Sequence, residues 1–193
     1  MIKKTRVAPR NGLITALDIG TSKMCCFIAR VAEDGRPSIA GIGHQISRGV
    51  RNGAIIDMEQ AELALRTTVH AAEQMAGDTI QEVVINLSGG YPASQTVGVE
   101  VPISGREVAD HDLHRVLMQG AQVHGPVDRR LIHSIPVSYT IDGSKGIRDP
   151  RGMFAEKLGV DMHVVPAAAG AVKNLTTCVA RCHLEPRAIG VSA

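Results

Sequence analysis

Two apolar, β-branched-rich runs between Leu13 and Val31 limit the possible folds of this chain more than any other stretch. They flank a polar segment of six residues, Asp18–Lys23. Two apolar runs joined by a short polar turn are typical of a β-hairpin. We therefore expect two antiparallel strands near the start of the chain, with the polar segment as their connecting turn.

The polar segment carries residue types that suit a phosphate group. Gly20 lets the backbone approach a ligand closely, and the amides that follow it can converge into an anion-binding concavity. Thr21 and Ser22 add hydroxyl donors, and Lys23 adds a positive charge. Asp18 would repel a bare phosphate, but it fits a Mg²⁺ ion that is bound through water and lies between the two. A tight hairpin in which Asp and Gly only satisfy turn geometry is the alternative.

Composition argues against several classes of protein. The chain has 193 residues, is 44% hydrophobic and carries a net charge of +2. Since it lacks long basic runs and interleaved aromatic residues, a nucleic-acid surface is not expected. No apolar run approaches the length of a membrane-spanning helix. Residues 1–10 are basic but lack the apolar core of a signal peptide, so they are interpreted as a flexible arm.

The cysteines give a weak metal signal. Cys178 and Cys182 lie one helical turn apart beside His183, and Cys25 and Cys26 are adjacent on a predicted strand. Burial as small hydrophobic residues is the preferred interpretation over a metal site. His111 and His114 share a helix face without a further ligand and are interpreted as surface residues. Nothing requires an oxidising compartment, and the cytoplasm fits.

The segment that follows the hairpin predicts an α/β sheet. A third strand is expected at Ser38–Ile46, followed by a glycine-rich loop, and a buried strand at Glu82–Leu87. Between them, apolar residues recur at helical spacing from a capping residue, Asp57, to Gly77. A strand, helix and strand of this length imply a parallel crossover.

Residues 88–165 interrupt this order with a β-α-β-β set. The pattern predicts a strand from Gln95 to Ile103 and a helix near 111–123, for which Ser104, Glu107 and Asp110 are start signals. Two further strands are expected, at Arg130–Ile141 and at about Ala155–Val165. After the set, the pattern predicts a helix that begins at Pro166 and a last strand at Arg187–Val191.

Several motifs resemble the actin-like ATPase superfamily and, within it, the FtsA family of bacterial cell-division proteins. The motif Asp18-Ile-Gly-Thr-Ser-Lys23 resembles the first phosphate loop of that superfamily. The stretch from Ser47 to Asp57 resembles the segment before its first helix, and Asn86-Leu-Ser-Gly89 the end of its fourth strand. The FtsA-like part is His133-Ser-Ile-Pro136-x-x-Tyr139-x-Ile-Asp142, followed by Gly146-Ile-x-x-Pro150-x-Gly152-Met153.

This resemblance implies an α/β fold: an actin-like (ribonuclease-H-like) lobe with an inserted small α+β subdomain. Residues 11–87 and 166–193 would be subdomain 1A, and residues 88–165 would be subdomain 1C. ATP and Mg²⁺ are the implied cofactors, held by the motif that begins at Asp18. The second lobe and the terminal membrane-binding helix of the family have no counterpart here, so we expect a fragment or truncated product.

The implied role is that of a tether. FtsA proteins organise the FtsZ ring at the cytoplasmic face of the inner membrane, and they contact FtsZ, other divisome proteins and one another. An ATPase also needs a residue that positions the attacking water, and no residue of this chain can be assigned to that role. We therefore expect at most weak ATPase activity in the full-length protein and none in this chain alone.

Two other functions remain open from the residues. Sugar and acetate kinases of the same superfamily begin with a similar hairpin, but they need a substrate-binding acid and base in the region of 88–165, where the FtsA-like motif stands. A pilus-assembly scaffold with the same insertion would be a pure interaction protein.

Overall fold

The computed structural model describes residues 12–122 and 128–191, and the predicted arm at residues 1–10 lies outside them. Within these ranges the chain forms eleven strands and three helices. In order they are β1 (Leu13–Ile19), β2 (Lys23–Val31), β3 (Pro37–Ile46), β4 (Val50–Arg51), β5 (Ala54–Ile55), α1 (Met58–Ala76), β6 (Glu82–Leu87), β7 (Gln95–Glu107), α2 (Asp110–Ala121), β8 (Arg129–Ile141), β9 (Ser144–Ile147), β10 (Phe154–Ala168), α3 (Ala169–Arg181) and β11 (Glu185–Val191).

The chain divides into two compact units. One, the discontinuous unit, comprises the residues up to Tyr91 together with those from Ala168 onward. The other, the inserted unit, comprises residues 92–167. Each unit contains its own sheet and its own buried core, so each is described by itself.

The discontinuous unit is built on a five-stranded sheet in the order β11-β6-β1-β2-β3. The β1–β2 and β2–β3 pairs are antiparallel, as the hairpin and third-strand predictions require. The β1–β6 and β6–β11 pairs are parallel, which confirms the predicted crossover. The sheet therefore changes from antiparallel to parallel pairing at β1.

The helices of the discontinuous unit lie against one face of this sheet. Helix α1 packs on β2 and β3, α3 packs on β11, and the two helices contact each other. The face that they cover supplies the fully buried side chains of Leu17, Ile28 and Ile85. On the opposite face, Ile14 and Phe27 are about two-fifths exposed, at 42% and 39%.

Helix α1 begins and ends at the predicted capping residues. The carboxylate of Asp57 accepts a hydrogen bond from the backbone N–H of Gln60 at 3.0 Å. Gly77 adopts the left-handed conformation that commonly ends a helix, with φ of 70°. Both residues satisfy backbone groups that a helix end would otherwise leave unpaired.

The inserted unit has a four-stranded sheet in the order β7-β10-β8-β9, against which α2 packs. Its core includes Val116 of α2 and Leu158 and Met162 of β10, all of them buried. Gly120 fits this packing because a β-carbon there would lie 2.8 Å from the Cγ atom of Met162. The unit is therefore β-α-β-β-β, and its additional short strand is β9.

The predicted helix near 111–123 is confirmed as α2, which begins at Asp110, one of its three predicted start signals. The other two predicted start signals, Ser104 and Glu107, belong to β7 instead. Within that strand Ser104 and Gly105 both adopt left-handed conformations, with φ of 62° and 72°. The pairing of β7 with β10 shifts register at this point, which identifies an irregularity in the strand. The helix starts at Asp110, and the last residue of its predicted range, 123, lies outside the described residues.

Pro166 was wrongly predicted to begin the last helix. It lies in β10, where its carbonyl oxygen accepts a hydrogen bond from the backbone N–H of Ala93 at 3.0 Å, and α3 begins at Ala169. The glycine-rich loop after β3 contains the short hairpin β4–β5, which the sequence did not predict. In the part of the chain that the structure describes, none of the helices has the length and apolar character needed to cross a bilayer.

Candidate functional site

The five predicted site residues lie together at the β1–β2 connection. Asp18 is half-buried near the end of β1, and Gly20 follows that strand. The backbone N–H of Gly20 donates to the carbonyl oxygen of Lys23 at 3.1 Å and closes the turn. Thr21, Ser22 and Lys23 are exposed. The turn therefore presents its hydroxyl and ammonium side chains to solvent.

The backbone of this turn leaves two amides available. Within residues 12–122 and 128–191, the N–H groups of Thr21 and Ser22 donate to no protein acceptor. The carbonyl oxygen of Ser22 accepts a hydrogen bond from the N–H of Ser47 at 3.0 Å, which holds the turn against the segment after β3. Neighbouring unpaired amides of this kind can bind an anion.

Thr21 joins the turn to the β4–β5 hairpin. Its Oγ1 atom accepts a hydrogen bond from the backbone N–H of Gly53 at 2.9 Å. Asn52 and Gly53 are both left-handed, with φ of 50° and 70°, as expected for the Asn-Gly turn of a tight hairpin. Since the Thr21 hydroxyl accepts this bond, its own hydrogen remains available to a ligand.

Gly53 in turn packs against the segment after β6. A β-carbon at Gly53 would lie 2.6 Å from the backbone of Ser88 and Gly89. A β-carbon at Gly89 would overlap the backbone of Gly53. Neither position has room for a side chain, so the two backbones meet directly. Three segments, the β1–β2 turn, the β4–β5 turn and the end of β6, therefore converge.

Asp18 lies opposite Asn86 in the parallel pair of β1 and β6. The Nδ2 atom of Asn86 donates to the Oδ1 atom of Asp18 at 3.0 Å. The other carboxylate oxygen, Oδ2, has no hydrogen-bond partner among the residues that the structure describes. A half-buried carboxylate with one free oxygen can still bind a cation or a cation-bound water.

Two residues of this arrangement were not predicted as site residues. Gly53 and Asn86 reach the β1–β2 turn from segments distant in sequence. Asn86 had a usable signal, because the carboxyl ends of neighbouring parallel strands meet at one edge of a sheet. Gly53 had only its Asn-Gly turn pattern, which gives no information about the partner of the turn.

The cysteines are free thiols, and Cys25, Cys26 and Cys178 are buried. Burial raises the pKa of Cys26 and of Cys178 to about 12, so both remain protonated. No three of the His, Cys, Asp and Glu side chains in the described ranges are placed to share a metal ion. The structure therefore assigns no metal to the Cys178–His183 segment.

Comparison with known proteins places the chain in a family. Residues 89–166 match the family described as the SHS2 domain inserted in FtsA. The cell division protein FtsA of Agrobacterium fabrum is 42% identical over 186 residues, which cover 91% of this chain. The FtsA proteins of Pseudomonas aeruginosa and Escherichia coli are 36% and 32% identical over 173 residues.

The chain is a homologue of FtsA. It spans 41–42% of the length of these FtsA relatives, so the alignment leaves more than half of each of them uncovered. The motifs that resembled FtsA in the sequence are thus supported by overall identity across nine-tenths of the chain.

A solved structure shows the same fold as this FtsA homologue. The PilM-PilN type IV pilus biogenesis complex contains a chain that superposes with a TM-score of 0.60 and 16% sequence identity, covering 95% of this chain and 48% of that one. At this identity the likeness concerns the fold alone. The predicted fold class, an actin-like α/β lobe with an inserted small α+β subdomain, is confirmed.

Proposed function

We propose that this chain is part of an ATP-binding, actin-like cell-division protein of the FtsA type and that it carries the first phosphate loop. The observation that carries the proposal is the convergence at Asp18. A carboxylate with one free oxygen lies beside a turn with two unpaired amides and two hydroxyls. A polar set of this kind does not contribute to apolar packing, whereas a magnesium-bound phosphate can use the carboxylate for the ion and the amides and hydroxyls for the phosphate oxygens.

The donor set fits the proposed ligand. Asp18 would hold Mg²⁺ through its water shell, because Mg²⁺ keeps several waters and needs only one or two carboxylates. Gly20, Thr21 and Ser22 would hold phosphate oxygens, and Lys23 would add charge from the start of β2. Mg²⁺ supplies charge neutralisation when it is bound, and the residues of this chain supply orientation.

The two compact units support a division of labour. We assign residues 11–87 and 166–193 to subdomain 1A, which would contain the nucleotide loop, and residues 88–165 to subdomain 1C, which would make protein contacts. The inserted unit has exposed apolar side chains suited to such contacts: Ile135, Val137 and Phe154 are 52%, 65% and 72% exposed. Exposed apolar side chains of this size are expected at association surfaces when they lie together.

The proposed role in the cell rests on the FtsA relatives, which are cell division proteins. The whole protein would tether and organise the FtsZ ring at the cytoplasmic face of the inner membrane. FtsZ, other divisome proteins and further copies of the protein would be its partners. We propose that the contacts with FtsZ and with the membrane are made by the part of the FtsA relatives that the alignment with this chain leaves uncovered.

The test is the substitution Asp18→Ala in the full-length protein, with Asp34→Ala as a matched control. Asp34 is also an acid in a hairpin turn of the same unit, where it accepts the N–H of Arg36 at 3.0 Å. A nucleotide at one hundred times its Kd stabilises the folded state by about 2.7 kcal/mol. Melting with and without Mg-ATP should show this shift in the parent and in the Asp34 variant and a much smaller one in the Asp18 variant. An equal shift in all three would assign Asp18 to turn geometry and contradict the proposed site.

A further inference from the structure

Asp18 has a different neighbour on each of its flanking strands. In the sheet, the antiparallel pairing places Cys25 of β2 opposite Asp18, and the parallel pairing places Asn86 of β6 opposite it on the other side. A thiol is a weak hydrogen-bond donor, whereas a primary amide offers two strong N–H groups. Only Asn86 donates to Asp18 among the residues that the structure describes.

The contact fixes which atoms face each other. An ionised carboxylate can only accept hydrogen bonds, so the amide nitrogen of Asn86 must be the atom that faces it. The distance from Nδ2 to Oδ1 is 3.0 Å, and both side chains are half-buried. A hydrogen bond to a charged acceptor in a partly buried site is stronger than one in water.

This single bond can determine the orientation of the whole carboxylate. The terminal torsion of an aspartate is broad and soft, so an unsupported carboxylate rotates freely. Because Oδ1 is held by Asn86, the position of Oδ2 is determined as well, and Oδ2 is the oxygen left for a ligand. An aspartate at position 86 would have the same shape, but it would replace attraction by repulsion between like charges.

We propose that Asn86 is a positioning residue for the nucleotide site. It holds the carboxylate of Asp18 in one orientation and so presents Oδ2 to the water shell of the nucleotide's Mg²⁺. This inference rests on the proposed function for the identity of the ligand, but the orientation of Asp18 is a property of the free protein. The two parts can therefore be tested separately.

The first experiment uses the ligand-free 193-residue chain. The bond to Asn86 anchors the end of the Asp18 side chain, so it restricts χ1 as well as the terminal torsion. Three-bond couplings from Cγ of Asp18 to its own backbone nitrogen and carbonyl carbon report χ1. We expect one rotamer in the wild type and averaged couplings in Asn86→Ala. The couplings should also be averaged in the isosteric variant Asn86→Asp. Because this variant retains the shape of the side chain, it provides the test if the alanine variant folds poorly. Asn174→Ala, the same change at an exposed position of α3, should leave the couplings unchanged. Unchanged couplings in both variants at position 86 would overturn the proposal.

The second experiment measures ligand binding by amide chemical shifts in the same chain, which detects millimolar affinities. Mg-ATP and ATP with EDTA are titrated separately into the wild type, Asn86→Ala, Asn174→Ala and Asp18→Asn. We expect Asn86→Ala to weaken Mg-ATP binding about tenfold and to leave magnesium-free binding unchanged. Asp18→Asn should also weaken Mg-ATP binding, but it should not weaken magnesium-free binding, because it removes a charge that repels a bare phosphate.

The outcomes separate the two hypotheses. Magnesium-dependent binding that Asp18→Asn removes and Asn86→Ala retains would overturn the role of Asn86 and leave the proposed function standing. A second outcome combines averaged couplings in Asn86→Ala with ATP binding that is the same with and without Mg²⁺ and the same in Asp18→Asn as in the wild type. This outcome would overturn the proposed function and the magnesium role of Asn86. The orienting contact would in that case belong to the fold alone.

Discussion

Gly43 lies so close to Thr68 that a β-carbon on Gly43 would overlap the backbone carbonyl oxygen of Thr68. The same is true of Gly41 and the carbonyl oxygen of Ala72, one turn further along α1. Strand β3 therefore packs its backbone directly onto the helix, because no side chain stands between them. The amphipathic pattern of α1 predicted that the helix packs on the sheet, but the glycines of β3 determine how closely.

The first prediction concerns this contact. Gly43→Ala should destabilise the discontinuous unit by roughly 1–3 kcal/mol, since an added methyl group in a close-packed interface must displace backbone. Gly170→Ala is the matched control, because Gly170 is exposed in the first turn of α3 and a β-carbon there meets nothing within 4 Å. It should be neutral or stabilising by up to about 1 kcal/mol. Amide hydrogen exchange of α1 measures both, and equal exchange rates in the two variants would contradict the close packing.

The second prediction concerns acid stability of the inserted unit. The guanidinium of Arg106 donates two hydrogen bonds of 2.6 Å to the buried carboxylate of Asp112 and lowers its pKa to about 2. Because the folded pKa lies below the unfolded one, the stabilisation is present above about pH 4 and is lost as the pH falls towards 2. Asp112→Asn should cost at most about 2 kcal/mol at neutral pH, because Arg106 is partly exposed.

The measurement is amide exchange of α2 between pH 7 and pH 2 in the wild type and in Asp112→Asn, with intrinsic exchange rates corrected for pH. The two proteins should converge at low pH. Asp149→Asn is the control, because the pKa of Asp149 is also lowered to about 2 by Arg151, but this pair is exposed. Its removal should have a much smaller effect at every pH. A difference for Asp112→Asn that persists at pH 2 would assign its effect to packing.

The third prediction is that the inserted unit can be removed. Gly90 and Ala168, on either side of it in sequence, are joined by a hydrogen bond of 2.8 Å from the Ala168 N–H to the Gly90 carbonyl oxygen. Replacing residues 92–167 by a short Gly-Ser linker should therefore leave a folded remainder, and in the full-length protein it should abolish self-association. An insoluble remainder, or a full-length variant that still assembles, would count against residues 88–165 as a separable contact module.

The fourth prediction is that this chain alone binds ATP weakly. The resemblance to the actin-like superfamily implies that the nucleotide lies between two lobes, and the β1–β2 turn would offer only exposed amides and hydroxyls from one of them. Ligand sites normally bury most of the ligand surface, and water screens exposed contacts. We expect a Kd of about 1 mM or weaker, equivalent to about −4 kcal/mol. Calorimetric titration with Mg-ATP measures it, and micromolar binding at one site per chain would indicate a complete local pocket.

The sequence predicted elements whose signal is local and long. Helix α1 has caps at both ends, and residues 83–85 of β6 form an uninterrupted apolar run. The sequence-based predictions were wrong where two local rules compete. Proline is allowed both at a helix start and at a strand end, and the bond from Ala93 to the Pro166 carbonyl decides between them. The Ser104 pattern matched a helix cap, but Ser104 lies at a left-handed irregularity within β7, and the strand continues beyond it to Glu107.

The candidate site divides in the same way. The Asp18–Lys23 turn is one continuous segment, so its residues could be selected from their chemistry alone. Asn86 joins it because β6 pairs with β1. Its place at the carboxyl end of a predicted parallel strand was a usable signal, but the sequence does not show which strand is the neighbour of β6. Gly53 joins it through a hydrogen bond to Thr21 that depends on the packing of two turns. Site residues that lie in one continuous turn are easier to predict from sequence than site residues that the fold brings together from distant segments.

The contact between Gly53 and Gly89 has a consequence for how this region can change over evolutionary time. Each residue excludes a side chain at the other position, so the two glycines occupy one shared space. Alanine at either position would already force the two turns apart, and a second alanine would then enter a gap that is already open. The two substitutions should therefore be strongly non-additive. Substitutions at Gly53 and Gly89 should therefore be coupled in evolution, although 36 positions separate the two residues in the sequence.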